Sequence, residues 1–159
     1  MQQTFMMLKP DAFESHHQDD IIKDLEDHNL IIKAKNLVEV DMDVMKILLE
    51  HYHQVIDEKG KDFNFPGKLF NSFYFEGPHY VMPMIVEYNG EQDIIEYTRK
   101  LVGKTNPCQA ESGTIRAAYS QDNYEIAESK NRLVANVIHA SDSHESAKRE
   151  IDIWKMLLY

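Results

Sequence analysis

A chain of 159 residues, 43% hydrophobic and 28% charged, is long enough to bury a core without covalent staples and too apolar to stay disordered. Its 17 basic against 27 acidic side chains leave a formal net charge of −10, which argues against nucleic-acid or anionic-membrane partners, since both need a basic face to displace counterions. An anionic small substrate on such a chain must be held by a few local cations or arrive with a metal ion.

Residues 4–8 (TFMML) form a short apolar run closed by Lys9-Pro10, which predicts a buried strand. The start, MQQTFMMLKPDAF, lacks a signal-peptide pattern. Ile21, Ile22 and Leu25 predict a short amphipathic helix over 19–28, and the branched residues of 30–41 predict a strand. Met45, Leu48, Leu49, Tyr52 and Ile56 stand at helical spacing and predict a helix over 45–56. Glycines, prolines and aromatics mix over 58–78, which predicts an ordered loop. Residues 80–88 (YVMPMIVEY) read as a strand, with Pro83 pointing to an edge or bulge. Asn89-Gly90 is a turn and 92–102 a helix.

The segment 104–119 reads as irregular. It holds Cys108, the only cysteine, so no intrachain disulfide is possible and a reducing compartment is the simplest expectation. Residues 122–130 have helical composition and 133–138 are strand-like. The best-marked helix runs from 142 to 154: Asp142 and Glu145 have capping-box spacing, and Ala147, Ile151, Trp154 and Leu158 make one apolar stripe. No run reaches the roughly 20 apolar residues of a membrane span, so a cytoplasmic protein of one domain over 1–159 is expected. The alternation predicts an α/β (α+β) fold, one sheet with helices packed on a face. A ferredoxin-like split βαβ arrangement with a four-stranded antiparallel sheet fits the count.

Gly103-Lys104-Thr105 looks like the end of a phosphate-binding loop, but the glycine required at position 98 is Thr98. The pairs His16-His17 and His51 with His53 lack the i, i+4 spacing or companion cysteines of a structural zinc site, so no protein-bound metal is expected. His139, in NVIHASDSHESAKREI, stands where a strand-like run stops before a helix. A histidine there can be a nucleophile, a ligand or plain packing. Helix N-termini favour bound phosphate, Ser141 and Ser143 add hydroxyls, and Glu150 sits at the edge of the buried stripe, placed to orient an imidazole. Neutral imidazole is a good nucleophile once a second group fixes its tautomer. Lys9, Arg99 and Arg116 are the candidate cations for an anionic substrate.

The whole chain resembles the nucleoside diphosphate kinases. The matching segments run in order: TFMMLKPDAF, HY at His51-Tyr52, FPG at 65–67, EGP, VGKTNP, SGTIR and NVIHASDSHESAKREIDIW. The resemblance implies the split βαβ fold with added helices, and an enzyme moving the terminal phosphate of a nucleoside triphosphate to a nucleoside diphosphate. It implies His139 as the residue phosphorylated in a ping-pong reaction, supported by Ser141 and Glu150. Lys9, Tyr52, Arg99, Thr105 and Arg116 would hold the nucleotide phosphates, and Asn136 would contact the ribose and the lysine. Mg²⁺ would come bound to the nucleotide phosphates, and the chain would form a homo-oligomer, dimer-based and commonly a hexamer.

Three departures stand out. With FPG aligned, Asn64 falls where the family has a base-stacking aromatic and Lys68 where an aliphatic residue lines the other side; a one-residue slip would put Phe63 in the stacking place instead. Ala117-Ala118 replace the usual Gly-Asp, and the stretch to Asn136 is longer than usual, with a helix expected near 123–129. A smaller insertion precedes Arg99. The insertions could cover the pocket, alter assembly or decorate the surface. A nucleotide-binding or scaffold protein with little turnover is the competing expectation, and an unrelated ferredoxin-like interaction module a third.

Overall fold

The computed structural model describes residues 1–159. At its centre, β1 (Gln2–Leu8) pairs antiparallel with β4 (Tyr80–Tyr88) on one side and β5 (Ile138–Ala140) on the other. Beyond β4 lies β2 (Leu30–Lys35), giving the order β2-β4-β1-β5. This is the expected four-stranded antiparallel sheet. A two-residue β3 (Val38–Glu39) adds to it by pairing with β4 at Tyr80 and Val81. The single strand expected over 30–41 is therefore two: the register shifts between Ile32 and Ala34, and the chain leaves the ladder at Asn36-Leu37.

Successive side chains of a strand point to opposite faces, and Phe5, Met6, Met7 and Leu8 are all fully buried. Both faces of the sheet must then be covered, which corrects the expectation of helices on one face. Met6 and Leu8 pack with Ala12 of α1 (Pro10–Glu14), Ile21 and Leu25 of α2 (Gln18–Asp27), Ile94 and Val102 of α6 (Ile94–Val102) and Ile115 of α7 (Ile115–Tyr119). Phe5 and Met7 pack with Met45 and Leu48 of α3 (Met42–His51), Leu69 and Phe73 of α5 (Phe65–Phe73) and Trp154 of α9 (His144–Leu158). An apolar run without polar alternation suits a strand buried on both sides.

The helix expected over 45–56 divides at Tyr52 into α3 and α4 (His53–Phe63). The stretch 58–78 is not a loop, because α4 and α5 occupy most of it. Phe65, Leu69 and Phe73 repeat every four residues and bury one face of α5. The breakers sit at the joints: Gly60 (φ 77°) kinks α4, and Asn64 (φ 55°) separates the helices while its side chain caps α5 by accepting from Gly67 N at 3.2 Å. A short α8 (Tyr124–Ser129) forms in the long stretch before Asn136, capped by Asn123. Of the strand expected over 133–138, only Ile138 joins the ladder, since Val137 takes a positive φ of 62°. Ser143, not Asp142, caps α9, accepting from Ser146 N at 3.0 Å. No helix is long and apolar enough to cross a membrane.

Candidate active site

The site is built on residues 134–140, the approach to β5. A β-branched residue at positive φ is strained and persists only where its surroundings fix it. Val137 is fixed by its amide donating to Asp11 Oδ2 at 2.9 Å and its carbonyl accepting from Lys9 N at 2.8 Å. The KPD corner that ends β1 thus positions the segment. Three cations grip the same stretch. Lys9 Nζ donates to Asn136 Oδ1 at 2.7 Å and to Val134 O at 3.1 Å, while Asn136 Nδ2 donates to Thr105 O at 2.9 Å. Arg116 donates to the carbonyls of Asn136 (3.3 Å), Gly103 (3.1 Å) and Ile138 (2.6 Å). Arg99 reaches the Ala140 carbonyl at 3.4 Å.

These partners are neutral acceptors. None of the three cations has a carboxylate within 4.0 Å, so their charge is oriented without being tied up in a direct ion pair. Burial lowers Lys9 to a pKa of about 8, with Asp11 pulling the other way, and lowers Arg116 to about 10, with Arg99 adding repulsion. Both would hold their protons more firmly beside an anion.

His139 lies between the Arg116 and Arg99 contacts. Its Nε2 is 2.7 Å from Glu150 Oε1, and Ser141 Oγ donates to that same oxygen at 2.7 Å. A carboxylate accepting from both sides puts the imidazole proton on Nε2 and leaves the lone pair on Nδ1. Glu150 is 4% exposed and Ser141 fully buried, so this support is rigid and largely dry. Tyr52 lies edge-on to His139, ring centroids 6.2 Å apart, and burial followed by Glu150 raises its hydroxyl pKa.

The cleft that joins these groups measures about 1020 Å³. One end holds Lys9, Arg99, Arg116 and His139. Phe63, Tyr124, Glu125 and Glu128 also line it, so α8 forms a wall of the cleft.

A family model described as nucleoside diphosphate kinase matches residues 2–156. The chain belongs to the nucleoside diphosphate kinase family, a family of phosphotransferases. Among its relatives are nucleoside diphosphate kinases of Listeria welshimeri, 38% identical over 154 residues (97% of this chain, 88% of the relative), and of Streptococcus uberis, 34% identical over 154 residues (97% and 94%). A Borrelia burgdorferi nucleoside-diphosphate kinase structure, a transition-state mimic with bound vanadate and ADP, superposes with a TM-score of 0.82 at 29% identity, covering 96% of this chain and 86% of that one. An NDP kinase from Pyrobaculum aerophilum gives 0.73 at 29% identity, covering 96% and 94%.

Of the residues singled out in the sequence, Lys9, Tyr52, Arg99, Thr105, Arg116, Asn136, His139 and Glu150 line the one cleft, and Ser141 stands behind it on Glu150. Asn64 does not line it, because its side chain is turned back to cap α5. Phe63, the alternative from a one-residue slip, does line it. Lys68 Nζ lies 3.5 Å from the Phe63 ring centroid and 2.5 Å from Glu128 Oε2, bracing both α8 and one face of that ring. Asp11 and His51 escaped the residue-level reading. Asp11 shows in the sequence only as part of the KPD corner, and the spacing of His51 to His53 gives no sign that the fold sets His51 against His139.

Proposed function

We propose that the protein moves the terminal phosphate of a nucleoside triphosphate to a nucleoside diphosphate by a ping-pong route through His139. The carrying observation is the His139 Nε2–Glu150 hydrogen bond of 2.7 Å in a cleft with three cations that form no direct ion pair. In the first half-reaction the Nδ1 lone pair bonds the terminal phosphorus as the bond from phosphorus to the bridging oxygen breaks. The nucleoside diphosphate leaves with that electron pair, and the Nε2 proton stays in its hydrogen bond to Glu150. The second half-reaction runs the same bonds in reverse with a different diphosphate, so one pocket serves donor and acceptor in turn. Lys9, Arg99 and Arg116 stabilise the moving group from preset positions, which is the main work a protein does in phosphoryl transfer. Thr105 and Tyr52 are assigned to phosphate oxygens, and Asn136 to the ribose and Lys9.

Two guanidiniums, an ammonium and a hydroxyl suit phosphate oxygens. Mg²⁺, a hard cation that prefers oxygen ligands, fits this arrangement when it rides on the nucleotide and neutralises part of its charge. The vanadate and ADP held by the Borrelia relative support the same reading here. For the base we favour Phe63 over Asn64, since Phe63 has one face braced by Lys68 and lines the cleft. Self-association belongs to the same reading: β2 is an edge strand carrying the exposed Ile31, beside exposed Leu37 and Met42, and such an edge suits pairing with a second copy.

The deciding experiment incubates the protein with Mg²⁺ and γ-labelled ATP. Acid-labile label should appear on the wild type, leave on addition of a nucleoside diphosphate, and be absent from His139→Ala. An unlabelled wild type would refute the phosphotransfer reading. Label without multiple turnover in excess diphosphate would favour a binding protein with little turnover.

A further inference from the structure

Phosphotransfer through His139 leaves one buried group of the cleft without a part, and the part assigned to it here rests on that reading of the site. His51 ends α3, is 3% exposed, and lines the cleft with His139. Its Nδ1 lies 3.1 Å from Trp154 Nε1. An indole N–H can only donate, so Nδ1 holds a lone pair and the neutral ring carries its proton on Nε2. Burial, then the neighbouring His139 and Arg149, push the His51 pKa well below the usual histidine value, so the ring is neutral at physiological pH. Nε2 is buried and has no hydrogen-bond partner. A buried donor left unpaired is costly, and in a native protein it calls for an explanation.

Its neighbours suggest one. The His51 and His139 rings pack edge to face, centroids 4.5 Å apart and planes at 75°. A ring nitrogen of each, together with a Glu150 oxygen, lie within 4.8 Å of one another. Glu150 Oε1 is already taken by His139 and Ser141. The two rings are not hydrogen-bonded to each other, and nitrogens no more than 4.8 Å apart stand at a separation that one oxygen spans with contacts of about 2.9 Å. The phosphoryl group on His139 brings such an oxygen and does so only during the reaction.

We propose that His51 donates its Nε2–H to a phosphoryl oxygen while His139 carries the group, making His51 a catalytic residue held in aim by Trp154. A donor without a partner in the resting protein and with one in the reacting complex acts on the reaction rather than on the fold. Because the ring is neutral, it steadies the group without a fourth full charge that would hold the phosphohistidine too tightly to turn over.

Two variants separate the ring nitrogens. In His51→Asn the side-chain oxygen stands near the place of Nδ1 and can still receive the Trp154 N–H, but no donor reaches the place of Nε2. In His51→Gln the amide nitrogen stands near the place of Nε2 and restores the donor. Single-turnover phosphorylation of His139 by Mg²⁺-ATP should slow by about 10- to 100-fold in the Asn variant, the loss expected for one hydrogen bond to a charged group. It should recover in the Gln variant, with nucleotide affinity little changed in both. Equal slowing in the two, or an unimpaired Asn variant, overturns the role.

Trp154 is the only tryptophan, so its emission reports whether each variant keeps the native surroundings of position 51. Should the variants fold poorly, the wild type labelled with ¹⁵N-histidine gives the answer. Phosphorylation should protect the His51 Nε2 proton from exchange and couple that nitrogen to phosphorus across the hydrogen bond. An unchanged signal overturns the proposal. A wild type that takes no label overturns both the phosphotransfer reading and this role, whereas a labelled wild type with an unimpaired Asn variant overturns only the role of His51.

Discussion

Lys9 should make folding and binding respond to pH in opposite directions. Lys9 is 8% exposed, its ammonium is hydrogen-bonded to Asn136 and Val134, and its pKa falls from the ordinary 10.5 to about 8. A lysine depressed in the folded state destabilises the protein at pH below its folded pKa. The penalty is relieved as pH rises through about 8 toward 10.5, where the unfolded chain binds the extra proton. Integrating that linkage from about pH 7 to about pH 9.5 gives roughly 2 kcal/mol of added stability. Other groups titrate in this range, so the measurement is the difference between wild type and Lys9→Met, in which their contributions cancel. Denaturant unfolding at both pH values should show the wild type gaining about 2 kcal/mol on the variant. Binding of a nucleoside diphosphate, followed by calorimetry, should weaken over the same span by up to about 30-fold in the wild type, since phosphate favours the charged lysine. Parallel stability curves for the two proteins would refute the reasoning, because Lys9 would then not be held charged at the expense of the fold.

Other substitutions divide the site into its functions. Glu150→Gln keeps an acceptor for Ser141 but removes the anion behind His139; kcat should drop roughly 10- to 150-fold with little change in Tm. Arg116→Ala strips the donor from three carbonyls and should cost about 1–3 kcal/mol of stability as well as raising KM, and Arg116→Lys should not restore both, because an ammonium cannot reproduce the guanidinium fork. Phe63→Ala should raise KM for nucleoside diphosphates with kcat nearly unchanged, whereas Asn64→Ala should lower stability by about 1 kcal/mol through the lost cap and leave KM alone. The reverse pattern in steady-state kinetics would return the base site to Asn64.

The chemistry was legible in the sequence because it lies in short contiguous stretches. NVIHAS and LKPD each hold their functional residues within a few positions, and an apolar stripe at period 3.6 was enough to bring Glu150 beneath His139. What escaped depended on distance in the chain. His51 and His139 are 88 positions apart and meet only through the packing of α3 against β1 and α9. The helices over 53–73 were hidden because Gly60, Asn64, Pro66 and Gly67 mark their junctions, and a reading by composition takes breakers at junctions for a loop. Asn64 stands outside the cleft for a related reason. Its backbone conformation (φ 55°) is one that asparagine tolerates better than a bulky aromatic, so a residue expected at the base serves the helix joint instead.

The three cations explain how so acidic a chain can receive a polyanion. A surface lysine or arginine paired with a carboxylate would have its charge spent before the substrate arrived. Lys9, Arg99 and Arg116 bond instead to carbonyls and an amide oxygen, which fix the direction of each charge without cancelling it. Most of those acceptors belong to residues 134–140, the segment that also carries His139. The backbone that presents His139 therefore also aligns the charges around it. Displacing that segment, as by relaxing the strain at Val137, would misplace His139 and the cations together, and its geometry is secured from the end of β1 through Lys9 and Asp11 as well as by β5 pairing.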